Sequence, residues 1–230
     1  MNNDYYKAYE ERYKETYKNN ILWETNKPTN LILDTIKKYN INIKDKILDL
    51  GCGEGRDAIY LLKKKFNVLA IDYSQTVINK CNELTDNKYI TNFKQFDLLV
   101  DNMNDKFKFI YSIAVIHMFL LDTDRNKFYK FLYDHLESDG YALIISMGDG
   151  VKEFKSDVNK SFKIGKRINI NNNKEMNVVE TSCCIKNKEN IIKEIQNNKL
   201  KIISVDIVDS VPNFDKCISI IVKKIKNTCI

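Results

Sequence analysis

The sequence predicts an α/β fold: a doubly wound, mostly parallel sheet with an inserted segment and an antiparallel finish. Three observations predict it. Short apolar runs alternate with helical ones at βαβ spacing from residue 44 to residue 146. Three of the seven glycines, Gly51, Gly53 and Gly55, crowd into one five-residue turn, which signals a backbone requirement there. Two strand-like segments, 201–208 and 217–223, flank a turn at Pro212-Asn213 and read as a hairpin on the sheet.

Residues 4–18 place Tyr6, Tyr9, Tyr13 and Tyr17 on one helical face. Trp23 and Pro28 follow, and then a helix over 29–39 with Leu31, Ile32, Thr35 and Ile36 inward. The alternation begins with a strand over 46–50, the glycine turn, and a helix over 56–65. A strand over 67–72 comes next, with a helix over 74–84 that Ser74 can cap. Strands are expected at 90–96, 107–113 and 140–146, with a helix over 125–137. Residues 150–186 break the pattern and are polar, with extended pieces at 162–170 and 177–185. A helix near 188–198 precedes the hairpin. The chain divides as a helical cap (1–40), a core (44–146), an insertion (150–186) and a final helix and hairpin (187–230), all within one domain.

Composition narrows the function. The net charge is +6, from 37 basic and 31 acidic residues. The lysines are interleaved with acids rather than gathered on one stripe, which speaks against a nucleic-acid partner. The runs Lys63-Lys64-Lys65 and 223–226 read as solvated element ends. Six scattered cysteines form no paired spacing, as expected of reduced thiols in a cytoplasm. The polar N-terminus has no apolar signal core, and no run is long enough for a membrane span. A cytoplasmic monomer or homodimer without a metal is the expectation.

A strand, a glycine turn and a helix make a cofactor cradle, because free N–H groups and bare backbone meet there. The spacing Gly51-Cys52-Gly53-Glu54-Gly55 is one residue short of the dinucleotide pattern G-x-G-x-x-G. Asp49 precedes the turn and Glu54 lies within it. Carboxylates repel a pyrophosphate and attract a sulfonium or ammonium. The charge thus favours S-adenosylmethionine over a nicotinamide dinucleotide. Asp72, ending the second strand, is placed for ribose hydroxyls, and Asp97, after the third, for an adenine amine.

The segments DLGCGEGR, AIDYS and FDLL, in that order over about residues 44–146, resemble the class I S-adenosylmethionine-dependent methyltransferase family. The resemblance implies a seven-stranded, Rossmann-like sheet. It implies cofactor contacts from Asp49, Gly51, Cys52, Gly53, Gly55, Asp72, Tyr73, Asp97, Leu98 and Ser112. Trp23-x-x-x-x-Pro28 resembles the entry segment of the thiopurine- and tellurite-type subgroup. The fourth strand lacks the Asn- or Asp-Pro-Pro-aromatic sequence carried by family members that methylate bases or glutamine amides.

His117, just past that strand, is the ionisable residue nearest the expected methyl group. It reads either as a general base or as a packing residue at the junction. His135 shares a helix face with Phe128, Phe131 and Leu132 and reads as structural. Tyr13, Tyr17, Trp23, His117 and Met147 are the candidate acceptor-site residues, under a lid made by the N-terminal helix and the insertion. Gly148 and Gly150 give that lid a hinge, and Asp149 reads as a turn residue. The expected activity is methyl transfer to a small molecule. A protein or RNA acceptor, and a nonenzymatic S-adenosylmethionine-binding module, stand as alternatives.

Overall fold

The computed structural model describes residues 4–18, 22, 27–168, 175–211 and 214–225. Trp23 and the Pro212-Asn213 turn lie outside the described residues.

The chain opens with a 3-10 turn, Tyr5–Lys7, and helix α1, Ala8–Lys18. Helix α2 is Asn30–Lys38. The core alternates β1 (Lys46–Leu50), α3 (Arg56–Lys63), β2 (Asn67–Asp72), α4 (Gln75–Leu84), β3 (Phe93–Gln95), β4 (Phe107–Ile113), α5 (Asp122–His135) and β5 (Leu136–Met147). The insertion holds β6 (Phe154–Lys155), β7 (Ile164–Ile168), β8 (Glu175–Val179) and β9 (Cys184–Ile185). Helix α6 (Lys188–Asn197), β10 (Leu200–Val208) and β11 (Cys217–Lys224) close the fold.

The sheet order is β10-β11-β5-β4-β1-β2-β3. β1 pairs in parallel with both β2 and β4, so the strand order reverses beside it. In open α/β sheets, that reversal opens a crevice at the strands' carboxyl ends. β11 runs antiparallel to β5 and β10, as the expected hairpin requires.

Alternation along each strand builds two cores. Leu48, Leu50, Ile110 and Ile144 face Phe128 and Leu132 of α5 and Ile191 and Ile195 of α6. Ile47, Phe109, Leu143 and Ile145 face Ile32 and Ile36 of α2, Leu61 of α3 and Val77 of α4. Each such side chain, once fully buried, contributes roughly 1.5–3 kcal/mol.

Several boundaries differ from expectation. The third strand shrinks to three residues because 90–92 wind into a 3-10 turn. Helix α5 starts at Asp122, where Asp122 and Asp124 suit the positive end of the helix. β5 starts at Leu136, four residues before the expected strand. The two extended pieces of the insertion pair as β7 with β8, and β6 pairs with β9.

Candidate active site

β1 carries a buried apolar run to Leu50 and then turns sharply. Gly51, Gly53 and Gly55 have φ of 80°, 52° and 76°, which side chains rarely tolerate. Gly51 has a steric reason as well. A Cβ there would come within 2.3 Å of Val115 Cγ2, so the bare backbone lets the β1 turn pack against the β4 turn. The Gly51 and Cys52 amides donate to Ile71 O at 2.8 and 2.9 Å, tying the turn to the end of β2.

Acids surround this turn. Asp49 is buried opposite Tyr111 of β4, and Glu54 and Asp57 are buried with it. Burial, reinforced by the nearby Asp57 charge, holds the Asp49 carboxyl well above the usual carboxylate range. Asp57 is committed elsewhere. It accepts from Thr29 N at 2.6 Å and from Arg56 Nη2 at 2.8 Å, stapling the start of α2 to α3. Asp72 accepts from Gly53 N at 3.0 Å and Ser74 N at 2.9 Å. Burial still raises it.

The other expected cofactor residues gather at the same strand ends. Asp97 accepts Leu99 N at 3.0 Å and the Tyr6 hydroxyl at 2.7 Å. Tyr73 meets the Tyr6 ring edge-on at 5.4 Å between centroids. Leu98 is half-buried against the α5 core. Cys52 is buried, and its thiol is pushed up by the hydrogen-bonding Cys81 thiol and by burial. Ser112 is buried, with its hydroxyl spent on Leu50 O at 2.9 Å. A side chain used this way braces β4 against β1.

A cationic ligand fits this arrangement. The raised Asp49 carboxyl marks a buried site where a positive group would favour the ionised acid. A pyrophosphate would meet repulsion there. Among the described residues, no group of three or more His, Cys, Asp or Glu side chains could hold a metal ion.

The N-terminal helix lies over these strand ends. Glu10 accepts from Ser74 Oγ at 2.5 Å and from Thr76 Oγ1 at 2.6 Å, which bolts α1 to the start of α4. Burial opposes its charge, but the bonds from Ser74 and Thr76 win and hold the carboxyl below its usual range. Tyr9 Oη donates to Ser182 O at 2.9 Å and Arg12 Nε to Val179 O at 2.8 Å. The helix thus joins the core to the insertion. Tyr13 and Tyr17 are half-buried on α1, with ring centroids 5.9 Å apart. Burial and the Glu54 charge push the Tyr17 hydroxyl up. Met147 ends β5 beside Cys217, and Asp149 Oδ1 caps the next turn by accepting Val151 N and Lys152 N.

His117 is 5% exposed on the one-turn helix Ile116–Met118. Its Nδ1 is buried without a hydrogen-bond partner. Burial and the Arg125 charge push its pKa down to about 3. His135 instead binds Asp105 O at 2.9 Å and packs on Phe131, a structural role. A hollow of about 830 Å³ lined by Lys106, Tyr133 and Lys224 lies at the start of β5, the opposite end of the strand from Met147.

Sequence reasoning missed Tyr6 as a partner of Asp97, Glu10 as the helix bolt, and Arg125. Tyr6 was on the aromatic face, but nothing marked which acid it would reach.

Residues 13–180 match the family described as tellurite resistance protein TehB. A relative in Haemophilus influenzae, a probable S-adenosyl-L-methionine-dependent methyltransferase TehB, is 30% identical over 114 residues. That stretch is 49% of this chain and 40% of the relative, so the match spans less than half of the relative's length. An S-adenosylmethionine-dependent methyltransferase from Clostridium acetobutylicum superposes with a TM-score of 0.66 at 19% identity, covering 95% of this chain and 98% of that one. The 1,6-didemethyltoxoflavin-N1-methyltransferase of Burkholderia thailandensis superposes with a TM-score of 0.70 at 12% identity, covering 98% and 91%. Both likenesses are of fold.

Proposed function

Since the chain belongs to the tellurite resistance protein TehB family, of the class I S-adenosylmethionine-dependent methyltransferase type, we propose that it transfers the methyl group of S-adenosylmethionine to a small-molecule acceptor. The observation that carries this is the glycine turn ringed by Asp49, Glu54 and Asp72. The cofactor supplies an activated methyl on a sulfonium, and the chain supplies placement and exclusion of water.

In this reading the turn backbone at Gly51, Cys52, Gly53 and Gly55 borders the methionine portion, and Asp49 attracts its positive charge. Asp72 accepts from the ribose. Asp97 and Leu98 border the adenine, with Tyr73 on its face. Ser112 acts by bracing the strand, since its hydroxyl is already bonded to Leu50 O.

A small acceptor suits the cover. α1 and the insertion are joined by the Tyr9 and Arg12 bonds, which supports a covered site for a small molecule. The structure of the Burkholderia neighbour holds bound 1,6-didemethyltoxoflavin and S-adenosylhomocysteine. Tyr13, Tyr17 and Met147 would line the acceptor side.

His117 would meet the acceptor as a neutral imidazole. With a pKa near 3, it is a hydrogen-bond partner that orients the acceptor and a weak base. His117→Ala should lower turnover about 10–100-fold and leave cofactor affinity unchanged. Wild-type turnover should show no acid limb near pH 6.5, the ordinary imidazole value. The direct test is mass spectrometry after incubation with S-adenosylmethionine and a panel of small thiols, phenols and amines. A methylated panel member supports the reading. Methylation confined to added protein or RNA contradicts it.

A further inference from the structure

The one-turn helix that carries His117 has little backbone support of its own. Ala114, just before it, takes a left-handed φ of 58°, which an L-residue adopts only when its surroundings enforce it. Inside the turn, Met118 N donates to Val115 O at 2.8 Å and Phe119 N to Ile116 O at 3.2 Å. Ser182 Oγ donates to Met118 O at 2.6 Å from the insertion.

The strongest outside support is Arg125, the largest fully buried side chain. Its Nη1 donates to Ile116 O at 2.8 Å and reaches Phe119 O at 3.5 Å, the carbonyls on either side of His117 and Met118. Its other edge makes two bonds of 2.8 Å to Glu194. Glu194 is fixed in turn by Tyr129 Oη at 3.1 Å and Lys186 Nζ at 3.0 Å. The guanidinium is therefore held on both sides as a rigid fork.

Stability alone does not account for such a pair. A buried guanidinium and a half-buried carboxylate lose water, and an apolar pair of the same volume often does as well. An apolar pair cannot clasp two carbonyls. We propose that Arg125, locked by Glu194, is a positioning residue that aims the His117 imidazole at the methyl acceptor. This rests on the reading that the acceptor binds at the end of β4.

The surroundings of the ring agree with that role. Its Nδ1 is buried and unpartnered, so the fold leaves its hydrogen-bonding capacity unspent. The ring meets the edge of Phe214, from the loop before β11, at 6.4 Å. The charge that bears on it comes from Arg125 on α5. A cation behind the turn opposes protonation and keeps the imidazole neutral.

The experiment compares wild type with Arg125→Lys, the double variant Arg125→Met/Glu194→Met, and His117→Ala. The double variant leaves no unpaired buried charge, and its affinity for S-adenosylhomocysteine reports that it folds. The chain has two histidines, so His117→Ala assigns the imidazole resonances. In wild type with S-adenosylhomocysteine bound, the His117 signals should not titrate above about pH 5. In the double variant they should move, and their titration should rise toward the ordinary value. Arg125→Lys keeps a charge and loses the fork, so its imidazole shifts should also change.

With the most reactive thiol, phenol or amine of the panel, kcat should fall about tenfold or more in both Arg125 variants. The KM for S-adenosylmethionine should stay put. An unmoved imidazole in the double variant overturns the proposal, and this readout needs no acceptor. Lost turnover in His117→Ala alongside that unmoved imidazole sinks the proposal alone. Full turnover in His117→Ala sinks the acceptor reading of His117, and the proposal with it.

Discussion

Asp49 sets a trade between stability and binding at the level of one residue. Its folded-state pKa is raised, by burial and then by Asp57. A carboxyl of that kind takes stability away as pH rises from its unfolded value, near 4, to its folded one. Above that window the loss is complete. Asp49→Asn should therefore raise the melting temperature of the ligand-free protein at neutral pH. The same change should weaken S-adenosylmethionine about 10–100-fold, the scale of losing a charge-assisted contact. In wild type, the melting shift given by S-adenosylmethionine should be larger at pH 8 than at pH 5. A shift of equal size at both pH values, or one kept by Asp49→Asn, would remove Asp49 from the cofactor's charge partners. Asp49 was readable from sequence because an acid beside a glycine turn is chemically pointed. Arg125 carries a fainter signal in the sequence. The chain has 33 Lys and four Arg (37 basic residues in all). Arg12, Arg56 and Arg125 each donate to oxygen within the fold. In so lysine-biased a chain, an arginine signals geometry rather than charge.

At the scale of elements, the glycine turn and α1 make separate predictions. Gly51→Ala adds a Cβ against Val115 at a φ of 80°. It should cost about 1–3 kcal/mol of stability and reduce cofactor binding, as read by chemical denaturation and calorimetry. A neutral substitution would mean that the two turns yield easily and that the close approach has no purpose. For α1, Glu10→Ala removes the bonds to Ser74 and Thr76. Amide exchange over residues 8–18 should then rise about 10–100-fold, with no change in β1 or β4. The strands and helices of the core were visible in the sequence because alternation and 3.6-residue periodicity mark buried faces. Their ends were less visible. The start of β5 at Leu136 follows from pairing with Phe107 of β4, a long-range contact without a local signal. The Tyr6 bond to Asp97 is of the same kind, spanning 91 residues.

For the whole molecule, the reversal of strand order at β1 explains why the site is where it is. β2 and β4 both flank β1, so the ends of three strands bring Asp49, Asp72 and the His117 turn to one edge of the sheet. The mostly parallel sheet and the hairpin were expected from sequence and are seen. The acceptor was not readable, because the proposed acceptor residues come from α1, the His117 turn and the end of β5, which lie far apart in the chain. The central claim is that the acid-ringed glycine turn holds S-adenosylmethionine. Calorimetry of S-adenosylmethionine and NADH against wild type and Asp72→Ala tests it most directly. We predict that S-adenosylmethionine binds, NADH does not, and Asp72→Ala weakens binding by about 1 kcal/mol or more. No binding of S-adenosylmethionine to the wild-type protein would contradict the account, and so would NADH binding of equal strength.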